Sequence, residues 1–213
     1  MPHSVTEIVL IRHGETSWNT EGRIQGQLDI PLNESGLAQA VAVGRRLGKE
    51  RLDAIYSSDL ERAMQTAGAV ERTGGREIRR EPRLRERHFG ALQGLTGEEA
   101  QDRQPGAWQA YKVRGADHDL GGGESLAAFS RRVIGFVGEV LRTHAGGRIL
   151  LVSHGGVLDM AYRHATGMPL DAPRSFPIYN ASVNILIHDR GRWEIAAWGD
   201  VSHLPQELAM DDT

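Results

Sequence analysis

The 213-residue chain contains no cysteine, which removes disulfides, thiolate nucleophiles and cysteine-ligated metals and suits a reducing compartment. No apolar run approaches the roughly 18 residues that a membrane helix needs. The opening Met1-Pro2-His3-Ser4-Val5-Thr6-Glu7 has neither the basic start nor the apolar stretch of a secretion signal. A cytoplasmic protein with no membrane partner is therefore expected. Strong charge is lacking as well. A formal net charge of −3 does not suit a general polyanion binder, so nucleic acid is not an expected partner, and affinity for an anion must come from a local cluster of cations. Neither a Walker-type lysine loop nor a His-x-x-x-His spacing occurs, and Asp117-His118-Asp119 reads as a polar loop, so no metal is expected.

What is present is ordinary in bulk and specific in detail. With 39% hydrophobic and 25% charged residues, the chain can bury one good core, and a single domain over 1–213 is expected. Two apolar runs, Glu7-Ile8-Val9-Leu10-Ile11 and Ile149-Leu150-Leu151-Val152, end on Arg12-His13-Gly14-Glu15 and Ser153-His154-Gly155-Gly156. Each strand-like run thus delivers a histidine to a glycine-rich turn. Ligands of open α/β sheets bind beyond the carboxyl ends of the strands, so neighbouring strands would bring both imidazoles into one cleft.

The pattern between these runs alternates. Pro31-Leu32-Asn33-Glu34-Ser35 starts a helix whose stripe Leu37, Ala40, Val41, Gly44 and Leu47 is expected to be core. The strand Ala54-Ile55-Tyr56-Ser57 runs into Ser58-Asp59, expected to cap a helix from about Leu60 that carries Arg62 in its first turn. From Arg76 to Gly123 glycines and prolines break the periodicity, and the segment is expected to be a lid-like excursion over the active-site face, with a capping box at Thr96-Gly97-Glu98-Glu99. A helix with Leu126, Phe129, Val133, Phe136, Val137, Val140 and Leu141 follows, and another runs from His154 to about Gly167. Val183 to Ile187 and Trp193 to Ala197, joined by Asp189-Arg190-Gly191, predict an antiparallel pair at the sheet edge. The fold class is α/β, a mostly parallel sheet sandwiched by helices. Glu207 to Thr213 are expected to be frayed.

Two imidazoles beside arginines suit phosphoryl transfer. Neutral imidazole is a nucleophile toward phosphorus, and a phosphohistidine is labile enough to be hydrolysed; His13 is the candidate. Arg12 and Arg62 can fork onto the equatorial oxygens, His154 can hydrogen-bond to them, and Gly155 lets backbone approach them at a helix start. A leaving alkoxide needs a proton, for which Glu86 is the candidate; Glu15 is expected to structure the loop after the nucleophile. The arginines from Arg76 to Arg87 read as a solvated face paired with nearby glutamates. Trp18 and Trp108 are candidates to border the substrate.

Arg12-His13-Gly14-Glu15-Thr16, Arg62 within Ser57-Ser58-Asp59-Leu60-Glu61-Arg62-Ala63, Glu86, and Ser153-His154-Gly155 resemble, in order and over nearly the whole chain, the histidine phosphatase superfamily. The resemblance implies a phosphoglycerate mutase-like fold, a three-layer α/β/α sandwich with one antiparallel edge strand. It implies phosphorylation of His13, a phosphoryl group held by Arg12, Arg62 and His154, and proton donation by Glu86. It also places Asn19 at the transferred group and Gln25 and Gly26 at the substrate.

The family divides into mutases that keep a bisphosphate intermediate and phosphatases that let water take the phosphoryl group. Glu86-Arg87-His88-Phe89-Gly90-Ala91-Leu92-Gln93-Gly94-Leu95 resembles the mutases. By the same resemblance, mutases have tyrosine at Phe89, lysine at Gly97 and a following arginine pair, where this chain has Trp108-Gln109-Ala110-Tyr111-Lys112 and a short span from Glu86 to Glu124. Loss of cations for a second phosphate favours a phosphatase for small phosphorylated metabolites, monomeric or homodimeric and without cofactor. The alternatives are a mutase using 2,3-bisphosphoglycerate and a non-catalytic phosphate-binding module.

Overall fold

Seven residues, Thr6–Arg12, form the central strand β1, almost continuously buried as a strand covered on both faces must be. Strand β4 (Arg148–Ser153) lies parallel beside it, in a register running from Glu7 opposite Arg148 to Arg12 opposite Ser153. On the other side β5 (Val183–Asp189) pairs antiparallel and β6 (Arg192–Asp200) closes that edge. β2 (Ala54–Ser57) and β3 (Ile78–Arg80) complete the order β3-β2-β4-β1-β5-β6. The structure, a computed structural model, describes residues 5–208. Only β5 runs against the other five strands, and it lies one place in from the edge. Arg190 and Gly191, at φ 49° and 79°, make the tight turn of this hairpin.

Alternation along β1 divides the core. Ile8 and Leu10 pack with Ile149 and Leu151 against α6 (Leu126–Thr143) and α7 (Gly155–Thr166). Val9 and Ile11 pack with Leu150 and Val152 against α2 (Glu34–Leu47) and α3 (Glu61–Gly74). The result is the three-layer α/β/α arrangement. No helix among the described residues is long and apolar enough to cross a membrane.

Three local expectations need correction. The stripe assigned to α2 is rotated: Leu37 and Val41 are 48% and 44% exposed, while Gly36, Gln39, Ala40, Val43, Gly44 and Leu47 are buried. Close packing on α3 decides this, because a Cβ on Gly44 would lie 2.5 Å from the Ala69 carbonyl oxygen. The N-cap of α3 is Leu60, without a side-chain bond, and neither Ser58 nor Asp59 acts as the expected cap. Asp59 is held by a two-pronged bond from Arg85, and Asp29 accepts the Glu61 N–H instead. Pro105-Gly106, read as a break, begins helix α5 (Pro105–Lys112), with proline in the first turn where no N–H is needed.

The excursion holds β3, two 3₁₀ turns, α4 (Gly97–Arg103) with the expected Thr96–Glu99 capping box, and α5. Leu92, Ala100 and Leu120 form a small apolar cluster there, with Phe89, Trp108 and Tyr111 packed against it. Of the tail expected to fray, Gln206–Leu208 form a 3₁₀ turn and the rest lies outside the described residues.

Candidate active site

Register fixes the meeting of the two histidines. Arg12 and Ser153 are partners across β1 and β4, so His13 and His154, the next residues, leave adjacent strand ends together. Their ring centroids are 5.1 Å apart. The turn after His13 is held tightly: a Cβ on Gly14 would lie 2.5 Å from the Gly36 carbonyl oxygen, so only glycine lets α2 approach this closely. Glu15 accepts from Asn33 Nδ2 at 2.6 Å and structures the loop as expected.

The partners determine both tautomers. His13 is 3% exposed, and its Nδ1 lies 2.7 Å from the Gly14 carbonyl, which can only accept; Nδ1 therefore carries the proton and Nε2 the lone pair. His154 is fully buried, and Arg62 Nε donates to its Nδ1 at 3.2 Å. Its proton is consequently on Nε2, 2.8 Å from Ser58 Oγ. Burial, with Arg62 and Arg12 beside it, pushes His13 well below 6.5, and burial and Arg62 do the same to His154. Both rings are neutral at neutral pH, as a histidine nucleophile requires.

This neutrality has a thermodynamic consequence. Folded-state values lie below 6.5, so below that pH the unfolded chain takes up protons that the folded chain excludes. Their contribution to stability is complete above pH 6.5 and shrinks as pH falls, by at most about 1.4 kcal/mol per pH unit for each group. Thermal unfolding from pH 7.5 down to 5 should show a falling Tm, with a shallower fall in His13→Ala. Equal slopes in the two proteins would contradict a buried neutral His13.

Arg62, in the first turn of α3, is 1% exposed and donates from Nη1 to the Leu28 carbonyl (2.8 Å) and from Nη2 to the Gly26 carbonyl (2.7 Å). Burial lowers it to about 10, and it stays cationic at neutral pH. Arg12 is held through Nη1 by the Ile178 carbonyl at 2.6 Å. Two oriented guanidinium groups therefore flank the His13 imidazole.

Glu86 reaches the same place from the excursion. Its Oε1 accepts from the Arg87 N–H at 2.7 Å and its Oε2 from the Gly156 N–H at 2.9 Å, at the start of α7. A Cβ on Gly156 would overlap the Glu86 carboxylate, so glycine is required for this seat. Arg132 of α6, not singled out in the sequence, staples the segment: it donates to the carbonyls of Arg83, Arg85 and Glu86 and forks onto Glu124 at 2.7 and 2.6 Å. Nothing in the spacing of Arg132 distinguishes it from other surface arginines on a helix.

A cleft of about 740 Å³ opens over these groups, lined by Arg12, His13, Asn19, Gln25, Gly26, Arg62, Glu86 and Gly155 among the expected residues. His154 lies behind the lining, holding Arg62. The Asn19 carboxamide oxygen accepts from Thr16 N and Oγ1, both at 3.0 Å, in the cap of α1 (Ser17–Thr20). Gln25 Oε1 is buried with no donor among the described residues, while Gly26 acts through the carbonyl that holds Arg62. Trp18 borders the cleft; Trp108 instead stacks on Tyr111. Arg87 overturns the solvated-face expectation, being 4% exposed and part of the lining. His118 of the Asp117–Asp119 loop accepts the Leu120 N–H through Nδ1 and the Arg87 guanidinium through its carbonyl.

A family model described as the histidine phosphatase superfamily (branch 1) matches residues 8–201. The chain belongs to the histidine phosphatase superfamily. A relative from Arabidopsis thaliana named metal-independent phosphoserine phosphatase is 45% identical over 203 residues, covering 94% of this chain and 84% of that protein. A Salmonella choleraesuis protein named probable phosphoglycerate mutase GpmB is 37% identical, with 93% and 94% covered. The solved structure of Bacillus stearothermophilus YhfR superposes with a TM-score of 0.83 at 36% identity, covering 93% of this chain and 98% of that one. As a histidine phosphatase superfamily member, the chain is an enzyme with the phosphoglycerate mutase-like fold, so the fold expected from the strand-end motifs stands.

Proposed function

We propose that this chain is a metal-independent phosphatase of small phosphate monoesters, working through a phosphohistidine on His13. The observation that carries the reading is the state of His13: neutral, with Nδ1–H held by a carbonyl and Nε2 left as nucleophile between two clamped guanidinium groups. In the first step the Nε2 lone pair forms a bond to phosphorus and the bond from phosphorus to the ester oxygen breaks, with Glu86 donating a proton to the departing oxygen. In the second, a water oxygen attacks phosphorus, the P–N bond breaks, and the Glu86 carboxylate takes the water's proton. Inorganic phosphate leaves and both residues return to their starting states. Arg12 and Arg62 offset the charge on the equatorial oxygens throughout. Asn19 and the backbone at Gly155 complete the phosphate pocket, and Gln25 and Gly26 border the ester. His154 keeps Arg62 aimed.

A mutase reading has the relative named probable phosphoglycerate mutase in its favour, together with the Glu86–Leu95 segment. Two features support hydrolysis instead. Phe89 lines the cleft without a hydroxyl, and Gly97 sits in the first turn of α4 against Trp108, contributing no cation. Purified protein in EDTA should release phosphate from p-nitrophenyl phosphate and from alkyl phosphates across pH 5 to 8. No turnover there, or interconversion of 3- and 2-phosphoglycerate outpacing phosphate release when 2,3-bisphosphoglycerate is added, would replace this reading. Ligand binding without chemistry on any ester would favour the binding module.

A further inference from the structure

The carbonyl that fixes the proton on His13 Nδ1 belongs to the peptide between Gly14 and Glu15, and a glycine leaves such a peptide free to swing. The peptide before it is pinned at both ends. The His13 carbonyl accepts from Asn180 Nδ2 at 3.0 Å and from the Ala181 N–H at 3.3 Å, and the Gly14 N–H donates to Thr66 Oγ1 at 3.1 Å. The Gly14–Glu15 peptide is held from outside the loop by Gln39 of α2, whose Oε1 accepts the Glu15 N–H at 2.7 Å.

Gln39 is 1% exposed, and both ends of its carboxamide are committed. Its Nε2 donates to the Leu208 carbonyl at 2.7 Å. A backbone N–H only donates and a backbone carbonyl only accepts, so these two partners decide which end of the carboxamide faces the loop. From His13 Nδ1–H the bonds run to the Gly14 carbonyl, from the Glu15 N–H to Gln39 Oε1, and from Gln39 Nε2–H to the Leu208 carbonyl. Amide resonance joins each accepting oxygen to the next donating N–H, so every bond polarises its neighbour in the same sense. Leu208 is itself anchored after β6. Its N–H donates to the Pro205 carbonyl at 2.9 Å, Leu204 is buried on the α2 and α3 side of the core, and His203 Nε2 donates to the Ala181 carbonyl at 3.1 Å.

We propose that Gln39 is a positioning residue for the nucleophile: through the Gly14–Glu15 peptide it keeps the His13 proton on Nδ1 and the lone pair on Nε2, and the Leu208 carbonyl keeps Gln39 correctly turned. This role rests on the phosphatase reading, in which Nε2 attacks phosphorus. With Gln39 removed, glycine lets the carbonyl rotate away, and the ring proton moves to Nε2, the form that cannot attack. Gln39 does not line the cleft, so the grip on substrate should be unchanged.

Gln39→Met keeps the reach of the side chain and removes both hydrogen bonds. In rapid-quench single turnovers of p-nitrophenyl phosphate, phosphorylation of His13 should slow by about 10- to 100-fold, with the half-saturating concentration within about twofold of the wild type. Two-bond proton–nitrogen correlation spectra of the imidazoles should show His13 protonated on Nδ1 in the wild type and a new Nε2–H form in the variant. Val43→Ala, wholly buried in the same helix but remote from this peptide's hydrogen bonds, is the control for lost stability. It should lower Tm and leave tautomer and rate as they were. A wild-type His13 protonated on Nε2 overturns the proposal without any variant. Phosphate release with Gln39→Met matching the wild type in tautomer and rate, or slowed no more than Val43→Ala, overturns it and leaves the phosphatase reading standing. A tautomer that shifts in Gln39→Met, in a protein whose wild type forms no phosphohistidine and releases phosphate from no ester, keeps the positioning role and overturns the phosphatase reading.

Discussion

Replacing His13 by alanine should lower phosphate release by a factor on the order of 10⁴ or more, because the covalent route is lost with its nucleophile. The arginines remain, so substrate should still bind. Arg62 keeps its three hydrogen-bond partners, the Gly26 and Leu28 carbonyls and His154 Nδ1. Acid-labile, base-stable phosphate should be trapped on the wild type after rapid quenching with labelled substrate and be missing from the variant. Retention of more than about a tenth of the wild-type rate by a pure His13→Ala preparation would mean that water attacks the ester directly and that His13 has another task.

Glu86→Gln is expected to have the second largest effect, and its form depends on the leaving group. An alkoxide needs its proton in the transition state, and loss of a positioned general acid costs about 10²–10⁴-fold. Hydrolysis of alkyl phosphates should fall by that much. p-Nitrophenolate departs without help, so phosphorylation of His13 should survive while attack of water on the phosphohistidine slows. A burst of p-nitrophenol equal in amount to enzyme, followed by a slow steady rate, is the expected trace. The fold should tolerate the change: glutamine keeps one oxygen for the Gly156 or Arg87 N–H and gives up one hydrogen bond, worth about 0.5–1.5 kcal/mol. Equal losses on both esters with no burst would reduce Glu86 to a cap on α7.

The site divides between what motif order reveals and what only space reveals. His13, Arg12, Arg62 and His154 were legible because each sits where an element begins or ends, and such junctions leave a mark: an apolar run that stops, a glycine, a capping residue. Glu86 was legible through its place in a resembling segment, but its seat was not. That seat depends on Arg132, a helix residue with no distinguishing neighbours, and on Gly156 leaving room for a carboxylate. His154 was expected to face the anion; its ring nitrogens are held by Arg62 and Ser58, so its link to the cleft runs through Arg62.

The sequence by itself determined the layer order, five of the six strands and the two histidine turns, whereas β3, three residues long inside the excursion, shows only in its pairing with β2. Periodicity is a local property, and a buried parallel strand must be apolar along its length whichever strand it pairs with. Tertiary structure alone decided which face of α2 is core, since Leu37 and Val41 share a helical stripe with buried residues yet fall outside the contact with α3. It alone also decided which arginines serve the cleft. Arg87, Arg114 and Arg174 are far apart in the chain and lie in segments without periodicity, and all three line the cleft because the excursion and the loop after α7 both reach the strand ends that carry Arg12 and His13. Charge acts through space over several ångströms, so a cluster of cations drawn from three loops leaves no trace in the spacing of any one of them.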